Sequence, residues 1–224
     1  MQSLDKRLHT VASLVRRGSR VADIGTDHAY LPVWLVEEGV CPKAIASDIG
    51  EGPLAAARRT VEAAGLAHCI DLRLGDGLAT VAVGEVEDIA IAGMGGETIA
   101  AILEAAPWVK DPCLRLVLQP MSRAEDLRRW LLTNGFTVET ERLVRDGRHL
   151  YSVMAARYTG DAPPMDDYRY YAGFFTPEEG KPYREMMAAH LTRRADGLVR
   201  AGETAQAARL VDIANKLRAA YSED

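Results

Sequence analysis

Cysteine and aromatics are scarce in this chain, with three cysteines, three tryptophans and three phenylalanines among 224 residues. Cys41, Cys69 and Cys113 are odd in number, scattered, and never in C-x-x-C spacing. That pattern argues against a disulfide framework and a thiolate zinc site, and for reduced thiols in a cytoplasmic setting. The five histidines show no ligand spacing, so no metal is expected. No run approaches the ~18 uninterrupted apolar residues of a membrane span, so no membrane partner is expected. Residues 1–7 are charged and helix-like, unlike a secretory leader. Basic charge is not in surplus: 27 Lys and Arg stand against 32 Asp and Glu. The balance gives no general support to nucleic-acid binding, although a basic patch can sit within an acidic whole.

What is present suits an α/β protein. Apolar residues make up 48% of the chain, enough for a substantial core, and the length fits one full domain plus a smaller appendage. Leu4, Leu8, Val11, Ala12, Leu14 and Val15 recur at helical spacing over 4–17. Arg7 and His9 flank that stripe, on a face that spacing alone assigns to solvent. Short apolar runs at 21–24, 43–49, 70–74, 87–92 and 114–118 read as strands. Helical stretches follow them from Pro32, at 54–64, at 97–106 and at 123–133. In the last, Leu127, Trp130 and Leu131 form the buried stripe, and Arg128 and Arg129 face away from it. Residues 136–143 and 149–157 read as antiparallel strands around Arg145-Asp146-Gly147-Arg148. Strands alternating with helices predict a mostly parallel, Rossmann-like sheet carrying an antiparallel C-terminal hairpin.

Composition changes at Gly160-Asp161-Ala162-Pro163-Pro164, which reads as a linker between a domain at 1–159 and a helical one at 160–224. Thr176-Pro177-Glu178-Glu179 resembles a capping box, and Pro182 is expected to restart the helix. The next helix shows Leu210, Ile213, Ala214, Leu217 and Tyr221 on one stripe, so two antiparallel helices are predicted. Lys181, Arg184, Arg193, Arg194, Arg200 and Arg209 outnumber nearby acids. This basic face suits RNA phosphates or open solvent equally well.

In a parallel sheet, ligand groups gather at the strand C-termini, here Asp23, Gly25, Asp27, Asp48, Asp76, Gly93, Met94 and Gln119. No G-x-G-x-x-G follows the first strand, so a pyrophosphate finds no glycine cradle. Acids ring the turn instead, which disfavours NAD or ATP and favours a cationic nucleoside without phosphate. S-adenosyl-L-methionine is such a ligand. Asp23 is placed near its ammonium group, directly or through water. Asp48 ends the second strand about 25 residues later and suits the ribose hydroxyls. As an N-cap for the helix after Gly52-Pro53 it lies several residues too early. Asp76, between two glycines, suits the adenine amine or a simple Asp-Gly turn. Gly93-Met94-Gly95-Gly96 reads as a strand-to-helix turn, with more glycine than a turn needs and room for close approach by a ligand.

The chain resembles the bacterial tRNA (adenine-22-N1)-methyltransferase family of the TrmK type. The likeness rests on Lys6-Arg7-Leu8, on residues 22–32 (Ala-Asp-Ile-Gly-Thr-Asp-His-Ala-Tyr-Leu-Pro), on Ser47-Asp48 and on Gly75-Asp76-Gly77-Leu78. It also includes Ala92-Gly93-Met94-Gly95-Gly96 and Leu118-Gln119-Pro120. It covers about residues 4–157 and continues more loosely through the tail. Where the family has Asn after Gln-Pro, this chain has Met121. The resemblance implies a class I methyltransferase domain with a coiled-coil-like helical tail, S-adenosyl-L-methionine as cofactor and tRNA as partner. It implies cofactor contacts from Asp23, Gly25, Thr26, Asp27, His28, Tyr30, Asp48, Ile49, Asp76, Gly77, Gly93 and Met94. Substrate contacts fall to Arg7, Gly95, Gly96, Gln119, Pro120, Arg193 and Arg194. Asp27, Gly93 and Gln119 take positioning roles in catalysis, with Gln119 accepting from the adenine amine. A cytoplasmic monomer is the expectation. Methylation of another RNA or a small molecule, or RNA binding without catalysis, remain as alternatives.

Overall fold

The structure, a computed structural model, describes residues 4–147 and 149–219. Arg148 of the expected hairpin turn, Tyr221 of the last apolar stripe and residues 1–3 lie outside the described residues. The chain divides into two compact units, residues 1–162 and 163–224, and the break falls within the 160–164 stretch.

The first unit opens with α1 (Lys6–Leu14). Asp5 caps it, one carboxylate oxygen accepting from the Leu8 N–H at 2.6 Å. The helix is shorter than 4–17 at both ends. The cap closes its start, and at its end Val15 turns extended while the Arg16 N–H goes to Asp88 at 2.8 Å. Then come β1 (Val21–Ile24), α2 (Tyr30–Glu37), β2 (Ala44–Asp48), α3 (Glu51–Ala63) and β3 (Ile70–Leu74). They are followed by β4 (Asp88–Gly95), α4 (Gly96–Glu104), β5 (Arg115–Ser122), α5 (Ala124–Thr133), β6 (Phe136–Asp146) and β7 (His149–Tyr158). The seven strands form one sheet in the order β3-β2-β1-β4-β5-β7-β6. The first five are parallel, and β7 runs antiparallel to both β5 and β6. This is the Rossmann-like sheet with a terminal hairpin that the strand pattern predicts. Strand order reverses between β1 and β4, which opens a crevice above their C-terminal ends.

Strand residues alternate between two cores. Ala22, Ile24, Ile45, Ile89, Ile91, Leu116 and Leu118 face Ile99 and Leu103 of α4 and Leu127 and Leu131 of α5. Val21, Ala44, Ala46, Ala90 and Val117 face Val11 of α1, Leu31 and Leu35 of α2, and Ala57 and Val61 of α3. Burial on both faces explains why the strands read as continuous apolar runs.

Several local expectations are corrected. Gly93-Met94-Gly95 is not a turn. It extends β4, whose pairing with β5 continues across irregularities to Met94↔Pro120 and Gly95↔Ser122. Gln119, Pro120 and Met121 accordingly lie inside β5, the proline tolerated where the ladder is already irregular. Helix α3 begins at Glu51, with Pro53 in its first turn. Arg128 does not face away from the apolar stripe. It is fully buried and bonds Glu141 of β6 at 2.6 Å, because the long hairpin covers that side of α5.

The second unit consists of α6 (Asp167–Ala172), α7 (Pro177–Arg200) and α8 (Thr204–Ala219). Thr176 caps α7, its hydroxyl accepting from the Glu179 N–H at 3.3 Å. Pro182 does not restart the helix, since α7 runs through it without a break. Gly202 takes φ +82° in the turn to α8. Tyr183, Met187, Ala188, Leu191 and Ala195 of α7 and Ala207, Leu210, Ile213, Ala214 and Leu217 of α8 are buried. The basic face is smaller than expected. Arg184 folds inward to donate to the Pro177 carbonyl, and Arg209 pairs with Asp167.

Candidate functional site

The turn after β1 is held open by unusual backbone. Gly25, Asp27 and Ala29 all take positive φ, at +75°, +50° and +58°. For Asp27 and Ala29 this conformation costs on the order of 1–2 kcal/mol each. Strain of this kind gathers at ligand sites. The turn is anchored on its neighbour, the Gly25 and Thr26 N–H groups both donating to the Ser47 carbonyl at 2.8 and 2.9 Å. Ala29 then starts α2 with no side-chain cap.

Asp23 is buried at the end of β1 and accepts from the Thr26 hydroxyl at 2.6 Å. Burial pushes its carboxyl up to about 6, against the Thr26 hydrogen bond. The Asp48 charge also raises it and the Arg7 charge lowers it. Asp48 bridges two loops. One of its oxygens accepts from the Gly50 N–H at 2.8 Å, and the other lies 3.4 Å from the Asp27 N–H. Gly50, not Asp48, is the N-cap residue of α3. Ile49, 70% exposed, follows directly, and the exposed Leu74 pairs with Asp48 from β3. Leu74 was not singled out in the sequence, because alternation assigns it an apolar face and cannot show that the strand ends there. Asp76 is exposed at the rim of a cavity of about 390 Å³ that Gly77, Leu78, Thr98, Ile102 and Trp108 also line. A cavity of about 420 Å³, containing Lys43 and His68, lies at the opposite, N-terminal edge of the sheet and holds none of the expected site residues.

His28 stacks on Tyr30 with ring centroids 5.1 Å apart, and its Nε2 lies 3.6 Å from Asp27. Across the crevice, a Cβ at Gly25 would stand 2.1 Å from the mobile end of Met94, and the φ of +75° at Gly25 is what favours glycine there. A Cβ at Gly96 would stand 2.1 Å from the Arg123 carbonyl oxygen, so chain packing by itself requires glycine there. Pro120 is buried, while Met121 and Ser122 are exposed beyond it.

Gln119 departs from its expected role. It is fully buried, and its Oε1 accepts from Arg7 Nη1 at 2.8 Å and from the Gly93 N–H at 3.1 Å. Its Nε2 donates to the Pro120 carbonyl at 2.9 Å. Both lone-pair positions of Oε1 are filled, so it is not an acceptor for an adenine amine. Arg7 in turn leaves the solvated face of α1 and joins the crevice. The first unit therefore brings together Arg7, Asp23, Gly25, Thr26, Asp27, Asp48, Gly93, Met94 and Gln119. Arg193 and Arg194 belong to the second unit, exposed on α7. Among the described residues no group of three or more His, Cys, Asp or Glu could hold a metal ion, and no helix is long and apolar enough to cross a membrane.

The donor set matches a cationic nucleoside. The crevice offers carboxylates that can accept from positive charge and from hydroxyls, and among the described residues the buried Ser47 hydroxyl has no hydrogen-bond partner. Known proteins agree with this. A family described as a methyltransferase domain matches residues 4–154. The tRNA (adenine(22)-N(1))-methyltransferase of Bacillus subtilis is 42% identical over 153 residues, covering 68% of this chain and 64% of that protein. The crystal structure of the B. subtilis M1A22 tRNA methyltransferase TrmK superposes with a TM-score of 0.85 at 32% identity, covering 99% of each chain. That of Streptococcus pneumoniae Sp1610 in complex with S-adenosyl-L-methionine gives 0.82 at 34% identity, covering 96% of this chain and 99% of the other.

Proposed function

The chain belongs to the methyltransferase-domain family and, within it, to the tRNA (adenine-22-N1)-methyltransferases, and on that premise we propose that it methylates N1 of adenine 22 in tRNA. The observation that carries this reading is the Asp48 carboxylate, held by Gly50 on one side and facing the Asp27 N–H on the other, at the C-terminal edge of a sheet with no phosphate cradle. S-adenosyl-L-methionine supplies an electrophilic methyl group on its sulfonium. Asp48 holds the ribose hydroxyls, Asp76 the adenine amine, and Ile49 the flat face of the base. Asp23 sets the negative field for the ammonium end from beneath, through the Thr26 turn. Gly25, Thr26, His28, Tyr30, Gly77 and Met94 wall the cofactor.

Adenine N1 carries a free lone pair at neutral pH, so the protein needs no general base. Its work is to hold the base out of its stack and aim N1 at the methyl group. Asp27, 69% exposed at its side chain, offers negative field as positive charge develops on the ring. Gly95 leaves space for the base, Gly93 lies beneath the Arg7 guanidinium, and the exposed Met121 stands at the entrance. Arg193 and Arg194 meet RNA phosphates. The protein works on tRNA in the cytoplasm.

The test is methyl incorporation from labelled cofactor into unmodified tRNA, repeated with adenine 22 changed to guanine. Incorporation into the first and not the second is expected, and equal incorporation into both refutes the assignment. In the full-length chain, Arg193→Ala with Arg194→Ala is expected to raise KM for tRNA and flatten its salt dependence while leaving cofactor affinity unchanged.

A further inference from the structure

Arg7 differs from the other arginines of the first unit that reach distant partners. Arg16 ends on Asp88, Arg20 on Glu87, Arg73 on Glu85, Arg115 and Arg157 on Glu139, Arg123 on Glu97 and Arg128 on Glu141, at 2.5–3.1 Å. A carboxylate compensates the charge of every one. The near partner of Arg7 is instead a neutral amide oxygen, Gln119 Oε1 at 2.8 Å. Its carboxylate partner, Asp5, is exposed and more distant, Nη2 donating to Oδ2 at 3.4 Å, where solvent screens the pair. A neutral acceptor orients a guanidinium without cancelling its charge. Two of the five guanidinium N–H groups are engaged, one by the Gln119 amide oxygen and one by the Asp5 carboxylate, leaving three for a ligand.

The holder is itself over-determined. Gln119 is buried, and its hydrogen bonds to Arg7, Gly93 and Pro120 have the correct polarity, with a weaker one from Nε2 to the Met121 sulfur at 3.8 Å. Flipping its amide would set a donor against the Gly93 N–H and an acceptor against the Pro120 carbonyl. The guanidinium it holds lies over Gly93, where Nη1 would be 3.6 Å from an added Cβ. The charge also reaches across the crevice, where it draws the buried Asp23 carboxyl downward.

We propose that Gln119 is a positioning residue that presents Arg7 as an oxyanion anchor at the crevice above β1 and β4. This rests on the methyltransferase reading above. A planar guanidinium fork recognises a carboxylate or a phosphate. The carboxylate of the cofactor's amino-acid end and a backbone phosphate of the RNA share that chemistry. The adenine ring does not, because it gains positive charge in the reaction and a neighbouring cation opposes that.

Calorimetry on the full-length protein distinguishes the sources. The probes are S-adenosylhomocysteine, 5′-methylthioadenosine (which lacks the amino-acid end) and unmodified tRNA. If the anchor takes the carboxylate, Arg7→Ala lowers S-adenosylhomocysteine affinity about 10- to 100-fold and leaves methylthioadenosine unchanged. If it takes a phosphate, the loss appears with tRNA, and the salt slope falls by about one. Gln119→Met is expected to follow in the same direction with a smaller loss, and to cost nothing further on an Arg7→Ala background. Arg7→Lys keeps the charge, loses the fork and recovers part of the affinity. Unchanged affinity for all three probes in Arg7→Ala overturns the proposal, and so does full additivity of the Arg7 and Gln119 changes. Arg7 lies on the rim of α1, so its variants keep the test open should Gln119→Met fail to fold. A wild-type chain that binds neither nucleoside would remove the methyltransferase reading itself, and this inference with it.

Discussion

Thr26 Oγ1 donates to Asp23 Oδ2 across 2.6 Å beneath the turn that follows β1. The bond keeps a buried carboxyl titrating at about 6, where burial alone would drive it higher. The site thus stores an acid whose charge the apo fold resists and a cationic ligand rewards.

That coupling predicts opposite pH trends for folding and for ligand binding. The folded value of Asp23 exceeds its unfolded one, so its contribution to stability is complete below about pH 4 and is lost as pH rises through 6. Ionised Asp23 costs the apo fold on the order of 3 kcal/mol. Asp23→Asn should therefore raise the melting temperature at pH 8 and change it little at pH 4. Cofactor affinity should rise through pH 6 in the wild type and lose that step in the variant. Titration calorimetry across pH 5–8 checks both, and a wild-type affinity flat over that range speaks against a charged role for Asp23.

Removing the bridge between two loops should weaken the ribose site. Asp48→Ala loses the acceptor for Gly50 and the neighbour of the Asp27 N–H. Cofactor affinity is expected to fall by about 1–3 kcal/mol. Direct binding measurements decide it, and unchanged affinity takes Asp48 out of the site.

The buried Arg128–Glu141 pair matters to the fold and not to the chemistry. Arg128→Met alone strands a buried carboxylate and should destabilise the protein by about 3–5 kcal/mol. Replacing both partners with apolar residues of similar volume should recover most of that loss. Urea unfolding of the single and double variants separates the cases, and a mild single-variant effect would contradict the burial.

Two glycines should respond oppositely to alanine. At Gly96 the added Cβ meets the Arg123 carbonyl, which is backbone and cannot swing aside, so Gly96→Ala should cost at least about 1–3 kcal/mol. Gly197 lies within α7 with nothing within 4 Å of such a Cβ, so Gly197→Ala should stabilise by about 0.5–1 kcal/mol. Thermal melts of the two variants suffice.

Local pattern carried much of the fold. Five apolar runs separated by helical spacing are enough for a parallel sheet, and an acid closing the second run located Asp48. Both are readable because strand burial and strand ends leave marks on adjacent residues. Arg128 was misread for the complementary reason: its helix gives it a polar position, and only the distant hairpin supplies Glu141. The Gly93–Gly95 segment was read as a turn since glycine marks turns, yet pairing with β5 keeps it extended. Leu74 escaped notice, and Ser47 was noted only for its place beside Asp48 in the family likeness, because nothing beside them in sequence shows that one is left exposed and the other unpartnered.

By itself the sequence determined which residues would stand at the C-terminal edge of the sheet and that their charge would be negative. Tertiary structure alone decided what those groups touch. Gln119 holds Arg7 from 112 positions away, and Asp23 is buried with its carboxyl pushed up to about 6. Periodicity and residue type are properties of neighbours along the chain, whereas desolvation and hydrogen-bond saturation depend on groups that only folding brings within 3 Å of one another.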